Sequence, residues 1–422
     1  MSRVIVGAQS VLLAVFVIGY LLGGQPAIVP GDHSLPVAPE RPPGLRQVAM
    51  DVGPWGRLAV APMLIQSSAA LASLVVHDYT GEGRWRFPGD DVVAVNTFYS
   101  EVGLGADDLE LLARHTVFDT AADETVTTPP IDWLIDLPAE RRQVLYGALH
   151  ARGAYALLDD PYTFQGGSFD DWTRRSGLLS ATRELLRKLV YLDNGILTIA
   201  DLHAVYEKVR DPAERIKVER TLTRTTGLQV QLQVDEGEDV APLIRYWGVR
   251  GREDTVAPLL EALADRPGGG SIDIVFLMPR FARARLNSYL PVMEYYLTAE
   301  QFTGHDCKWT ALNFFNDGPD VRFEGEEGGA LSSACTAPID SPTQFGDITF
   351  LLDVNGNVVH AMVQVAADLV FTKNGAAPYA PFVLAIRDDV VKSYAYFGCA
   401  ATVHRRLAIP GVTQGYALPR TR

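Results

Sequence analysis

Residues 345–375 read FGDITFLLDVNGNVVHAMVQVAADLVFTKNG, and upstream of them residues 306–316 read DCKWTALNFFN. The longer stretch decides the fold class. Its apolar residues come in short alternating runs at 347–354, 358–365 and 368–372, and a fourth run follows at 382–387. Such alternation marks strands that turn one face to a core. Asn355-Gly356 separates the first two runs, and an Asn-Gly pair there is a strong hairpin signal. In the shorter stretch Trp309, Leu312 and Phe315, with Ala311 and Phe314, share a helix face that can lie on a sheet. A helix followed by an antiparallel meander is an α+β arrangement.

That helix opens on residues able to carry chemistry. Asp306 stands in the capping position and Cys307 in the first turn. A thiol there feels unpaired N–H groups and the positive dipole end, which favour thiolate over thiol. The same N–H groups can hold an oxyanion. His360 stands near the start of the second hairpin strand. Strands packed on the helix can bring it to Cys307, where imidazole would take the thiol proton. The plain alternative is that Cys307 is a small core residue. His305 is a rival base. A zinc site would draw on His305, Cys307, Cys335, Cys399 and His404, but no pair among them has finger-like spacing. Cys335 and Cys399 are the pair that an oxidising exterior would join.

The order of these pieces resembles the NlpC-type branch of papain-fold cell-wall peptidases. In that family an Asp-Cys pair opens a helix and a Gly-Asp pair starts a strand. A His begins the next strand, and a later polar residue orients the imidazole. The corresponding residues here are Asp306-Cys307, Gly346-Asp347, His360 and the cluster Thr372-Lys373-Asn374, with 53 positions from Cys307 to His360. The match spans roughly 289–408. Two local departures stand out. Lys308-Trp309 replaces the usual Ser-Gly, and His360-Ala361-Met362-Val363-Gln364 replaces the usual His-Val-Gly-Ile-Tyr. The resemblance implies a papain-like domain with Cys307 as nucleophile and His360 as base. Family counting makes Thr372 the orienting residue; Asn374 is preferred because an amide oxygen accepts from imidazole better than a hydroxyl that must also donate. The implied activity is that of a cysteine peptidase or amidase acting on peptidoglycan stem peptides, with no metal and no organic cofactor. Acyl or amide transfer would use the same thioester. From a different class, the module binds a partner in an envelope assembly and no longer turns over.

Upstream the pattern is mostly helical. Runs at 137–158, 170–192, 199–209 and 213–224 have helical spacing, and GLQVQLQV at 227–234 alternates as a strand. The segments 238–243 and 253–259 echo each other as helix starts with acids before a proline, but two copies do not make a solenoid. No catalytic constellation appears in this region.

The first residues read differently again. Residues 4–23 carry no charge and are long enough to cross a ~30 Å hydrocarbon core. Arg3 precedes them and the next Lys or Arg is Arg41, which orients the chain with its N-terminus inside. The expected localisation is therefore single-pass in the inner or cytoplasmic membrane, with the body in the periplasm or outside. A cleaved signal peptide is the alternative. Residues 26–44 hold six prolines and read as a stiff tether. The expected organisation is a membrane segment at 1–25, a linker at 26–45, a mostly helical domain at 46–285 and a papain-like domain at 286–422.

Composition bounds the partners. The 422 residues carry 37 Lys and Arg against 51 Asp and Glu, a net charge of −14, which argues against nucleic acid. A 47% hydrophobic and 21% charged chain is globular, and three cysteines cannot staple it, so its cores must hold it. From His305 to Ala380 ten acids face three bases, a balance that suits peptides with free amino groups and equally suits a plain solvated surface.

Overall fold

The computed structural model describes residues 48–49, 52–75, 83–159, 161–164, 167–290, 305–323, 336–375, 377, 379–395, 399 and 401–407. Among these residues the strands form four small antiparallel sheets, with helices before, between and upon them. The fold is thus mixed α and β along its length. This corrects the expected fold class, in which the region 46–285 was mostly helical: three of the four sheets draw their strands from it.

The physical reason lies in strand length. Trp85–Pro88, Glu124–Thr127 and Thr116–Asp119 form one sheet in that order, and Tyr162–Phe164, Ile196–Ile199 and Tyr191–Asp193 form another. Strands of three or four residues give too few repeats for a period of two to register. Arg57–Ile65 is longer, but Leu58 to Ala61 are buried in succession, so it reads as an unbroken apolar run. It pairs with Thr225–Val234 over nine positions, from Arg57↔Gln233 to Ile65↔Thr225. The alternation expected at 227–234 is present, with Val230, Leu232 and Val234 turned inward.

The helices form where expected but are shorter. Asp211 caps Pro212–Leu222 through the Ala213 N–H, with proline at a position that needs no donor. The run expected over 170–192 divides into Phe169–Thr173 and Ser180–Leu189. Between them Arg175 and Gly177 adopt φ of 48° and 70°, a left-handed geometry that no helix continues through.

The expected transmembrane helix and single-pass membrane placement are corrected as well. No helix among the described residues is long and apolar enough to cross a membrane. The longest of them, Ala139–Ala151, has 13 residues. At 1.5 Å per residue that is ~20 Å, short of a ~30 Å core. The apolar run 4–23 and the proline-rich segment 26–45 lie outside the described residues.

The fourth sheet positions the site. Its six strands run Thr336–Ile339, Ala401–Leu407, Ile348–Leu352, Val358–Ala366, Leu369–Lys373 and Phe382–Ile386, in spatial order. The helix Cys307–Leu312 lies on one face, where Trp309, Ala311 and Leu312 join Ala361, Val363, Phe371 and Phe382 in a core. That core continues without a break into Val230, Leu232 and Trp247, so it crosses residue 285. The helix Arg387–Ala395 covers the other face, where Val390 and Tyr394 meet Leu351, Met362 and Val370.

Buried polar groups add a second framework. Arg142 and Asp201 are both fully buried, with Arg142 Nη1 donating to Asp201 Oδ2 at 2.5 Å. The hydroxyls of Tyr146 and Tyr155 also donate to this carboxylate, at 2.7 and 2.9 Å. Asp201 thereby joins the helix Ala139–Ala151 to the chain leading into Leu202–Lys208.

Candidate active site

Asp306 opens the site helix. Its carboxylate accepts the Trp309 N–H at 2.9 Å, and its own carbonyl accepts the Thr310 N–H at 3.0 Å and hydroxyl at 2.7 Å. The cap expected at Asp306 is therefore present, with Cys307 the first helical residue. The helix stops at Leu312 because Asn313 turns back, donating to the Trp309 carbonyl at 3.0 Å and accepting from Asp320 N–H at 2.7 Å.

Cys307 is 5% exposed. Burial pushes its thiol up to about 12, and the neighbouring Asp306 carboxylate adds to the rise. The Ala361 N–H, directed at the sulfur, and the cations Lys308 and Lys373 act in the opposite sense. Lys308 itself pairs with Asp306 at 3.4 Å.

The Gly346-Asp347 pair has a structural task. Gly346 adopts φ of 93°, and a Cβ there would stand 2.1 Å from the Phe315 ring. Asp347 accepts the N–H groups of Thr343 and Gln344, both at 2.9 Å, and Arg406 Nε at 2.6 Å. It fixes the turn into its strand and ties that strand's neighbour to it.

His360 is fully buried, stacked on Tyr394 with centroids 4.0 Å apart. Its Nε2 meets Thr372 Oγ1 at 2.9 Å, and the same hydroxyl lies 3.1 Å from the Ala361 carbonyl. A carbonyl can only accept, so the hydroxyl proton goes to Ala361 and Oγ1 accepts from Nε2–H. The other ring nitrogen, Nδ1, has no hydrogen-bond partner among the described residues. Burial pulls its pKa down to about 3.

The structure brings His360 together with Thr372 and apart from Cys307. In the register Leu351 faces His360 and Phe350 faces Ala361. Leu351 packs with Met362, Val370 and Tyr394, while Phe350 packs with Cys307, Trp309 and Phe371. Successive strand residues point to opposite faces, so His360 and Cys307 stand on opposite sides of the sheet. Asn374 is half-buried, and among the described residues its Oδ1 has no partner. Thr372, not Asn374, is the group that holds His360.

Lys373, named in the sequence only as the middle of the cluster Thr372-Lys373-Asn374, lies on the Cys307 face. It is fully buried on the strand Leu369–Lys373, two positions from Phe371 on the same face. Its Nζ donates to the carbonyls of Gly375 at 2.7 Å and Ala377 at 2.8 Å, and among the described residues it has no carboxylate in ion-pair contact. Burial pulls it down to about 7, against the pull of Cys307 and Asp306. The signal was a lysine on the apolar side of an alternating strand.

The other candidates are placed as follows. His305 stacks on Trp309 at 3.9 Å. His404 meets Thr349 Oγ1 at 3.0 Å. Cys399 is a free thiol, and Cys335 lies outside the described residues. Among the described residues no group of three or more His, Cys, Asp or Glu is arranged to hold a metal ion.

Acid should loosen this sheet through His360. Its folded pKa lies below the unfolded value of ~6.5, so the unfolded chain binds the extra proton. The stability it contributes is complete above pH ~6.5 and is lost as pH falls toward 3, by about 2 kcal/mol at pH 5. Urea unfolding at pH 7 and pH 5 should show wild type losing that much more than His360→Gln. Parallel losses in the two proteins would contradict a neutral buried imidazole.

No family model matches the chain, and no curated protein or solved structure matches it either.

Proposed function

We propose that the chain is a thiol amidohydrolase acting on peptides, with Cys307 as the nucleophile. The observation that supports it is the grouping on one face of the sheet of Cys307, the Ala361 N–H and the buried Lys373, which among the described residues has no carboxylate in ion-pair contact. Burying an ammonium without a carboxylate costs stability, and such cost is characteristic of sites that use the group. Cys307 would attack an amide carbonyl, expel the amine and leave a thioester for water, or another acceptor, to take. Because His360 stands across the sheet, its role in this reading is structural. Peptidoglycan stem peptides are the substrates to try first, on the strength of the resemblance in residue order alone.

A second reading has its own observation. Cys307 is 5% exposed and burial holds its thiol protonated, as in a core cysteine of a papain-like module that binds without turnover. The two readings separate in one assay. Full-length protein is incubated with peptidoglycan fragments and simple peptide amides, and newly released amino groups are counted. The proposal expects release that stops after thiol alkylation. No release from any of them, or release indifferent to alkylation, favours the binding module.

A further inference from the structure

We propose that the strand Thr116–Asp119 is a docking edge for a second copy of this chain, joined antiparallel about a two-fold axis at Val117. The inference is independent of the chemistry at Cys307.

The strand ends the three-stranded sheet ordered Trp85–Pro88, Glu124–Thr127, Thr116–Asp119. It pairs with Glu124–Thr127 in an unbroken register, from Thr116↔Thr127 to Asp119↔Glu124. Two hydrogen bonds fix which backbone groups look outward. The Thr128 N–H donates to the His115 carbonyl at 2.9 Å, so the bonded pairs of this ladder are His115–Thr128, Val117–Val126 and Asp119–Glu124. Across the sheet Arg86, which also pairs with Val126, donates its N–H outward to the Ala154 carbonyl at 2.7 Å. Counting from that side gives the same parity. Thr116 and Phe118 therefore turn N–H and C=O away from the sheet, and among the described residues no backbone group takes them up. Thr116 keeps its side chain inward, bonded to the Leu112 carbonyl and the Thr127 hydroxyl, and offers only backbone. Val117 and Phe118 are 61% and 41% exposed, one on each face. Open backbone groups between apolar side chains are a template for another strand, and this edge has no Lys, Pro or bulge to refuse one.

The order His115-Thr116-Val117-Phe118-Asp119 makes that strand a second copy. New bonds can form only between residues whose groups look outward. Setting Thr116 against the partner's Phe118, and the reverse, gives four backbone bonds about a two-fold axis. Val117 then faces the partner's Val117, and His115 faces the partner's Asp119 on both sides of the axis. These are cross-strand pairs of the favourable kind, apolar with apolar and an imidazole N–H with a carboxylate. Phe118 set against itself would put Val117 opposite Asp119, and Thr116 set against itself would put His115 opposite Val117. Arg114 is held by Glu110 of its own helix and would stand opposite the partner's Thr120, so no like charges meet. A four-residue strand covers far less than the ~1,600 Å² of a standard interface, so the dimer is weak and reversible.

The test is read at single residues. Full-length Val117→Cys, Phe118→Cys and Thr120→Cys are oxidised under native conditions beside wild type, and any new disulfide is located by mass spectrometry of the digest. Position 117 faces itself in a non-hydrogen-bonded pair, where the side chains are closest, so Val117→Cys should link to itself faster than the other two. In sedimentation, wild type should rise with concentration from 46.1 kDa toward twice that mass. Val117→Lys sets two ammoniums face to face and should raise the dissociation constant at least about tenfold. The exposure of Val117 leaves the fold in place, which circular dichroism checks; if it does not, the cysteine series decides. A wild type that stays monomeric up to about 1 mM overturns the inference. So does a dimer that Val117→Lys leaves unchanged, or linkage as ready at 118 or 120 as at 117, because association through any other surface is blind to residue 117.

Discussion

Cys307→Ala is expected to abolish amide hydrolysis, while His360→Gln keeps most of it. The first half follows from chemistry common to covalent catalysis. When a nucleophile and its base act as a unit, deleting the nucleophile costs on the order of 10⁶ in turnover. The second half is specific to this sheet. His360 donates to Thr372, stacks on Tyr394 and stands on the face away from the sulfur. Glutamine can keep a donor toward Thr372 Oγ1, so the strand should hold its place. The pair of variants therefore separates two mechanisms that share one nucleophile. Steady-state rates on the best peptide substrate measure it. Equal, near-total loss in both variants would show that His360 reaches Cys307 during turnover. Full activity in Cys307→Ala would remove the thiol from the mechanism.

The largest loss of stability is expected from Asp201→Ala, about 3–5 kcal/mol, because breaking a buried pair leaves an uncompensated charge. Arg142 is fully buried and, among the described residues, would keep only carbonyls and the Tyr146 hydroxyl as partners, among them Leu137 O at 3.2 Å. The hydroxyls of Tyr146 and Tyr155 would lose their common acceptor as well. Each orphaned donor carries its own desolvation penalty of ~1–3 kcal/mol, which places the variant toward the upper end. Replacing Arg142 and Asp201 together by apolar residues should cost less than either single change, since no charge is then stranded. Urea unfolding of the three variants checks the order. A single variant within about 1 kcal/mol of wild type, the size of an exposed ion pair, would mean that water reaches this site.

How far the sequence could lead is visible at particular residues. The helix at Cys307 and the meander after it were legible because a cap, a helical face and an Asn-Gly turn agree locally. The strand Arg57–Ile65 was not, because burial on successive positions erases the period that reveals a strand. The side of the sheet occupied by His360 was not legible either. Pairing shifts between Leu351 and Leu352, so that Leu352 meets Val358 while Leu351 meets His360, with Val359 as the extra residue. A bulge of that kind changes which face a side chain joins, and residue order alone does not announce it. Lys373 lay in plain view at the end of an alternating strand. Its meaning depended on knowing that the same face carries Cys307, which is a tertiary fact.

The most direct measurement is the mass of the protein during turnover. Full-length chain is mixed with a reactive peptide ester or amide, quenched in acid and digested, and the fragment carrying Cys307 is weighed. The account predicts an acyl adduct on that fragment, absent in Cys307→Ala and released by hydroxylamine, as a thioester is. Turnover that proceeds with Cys307 unmodified at every time point, or with the acyl group on another residue, would contradict it.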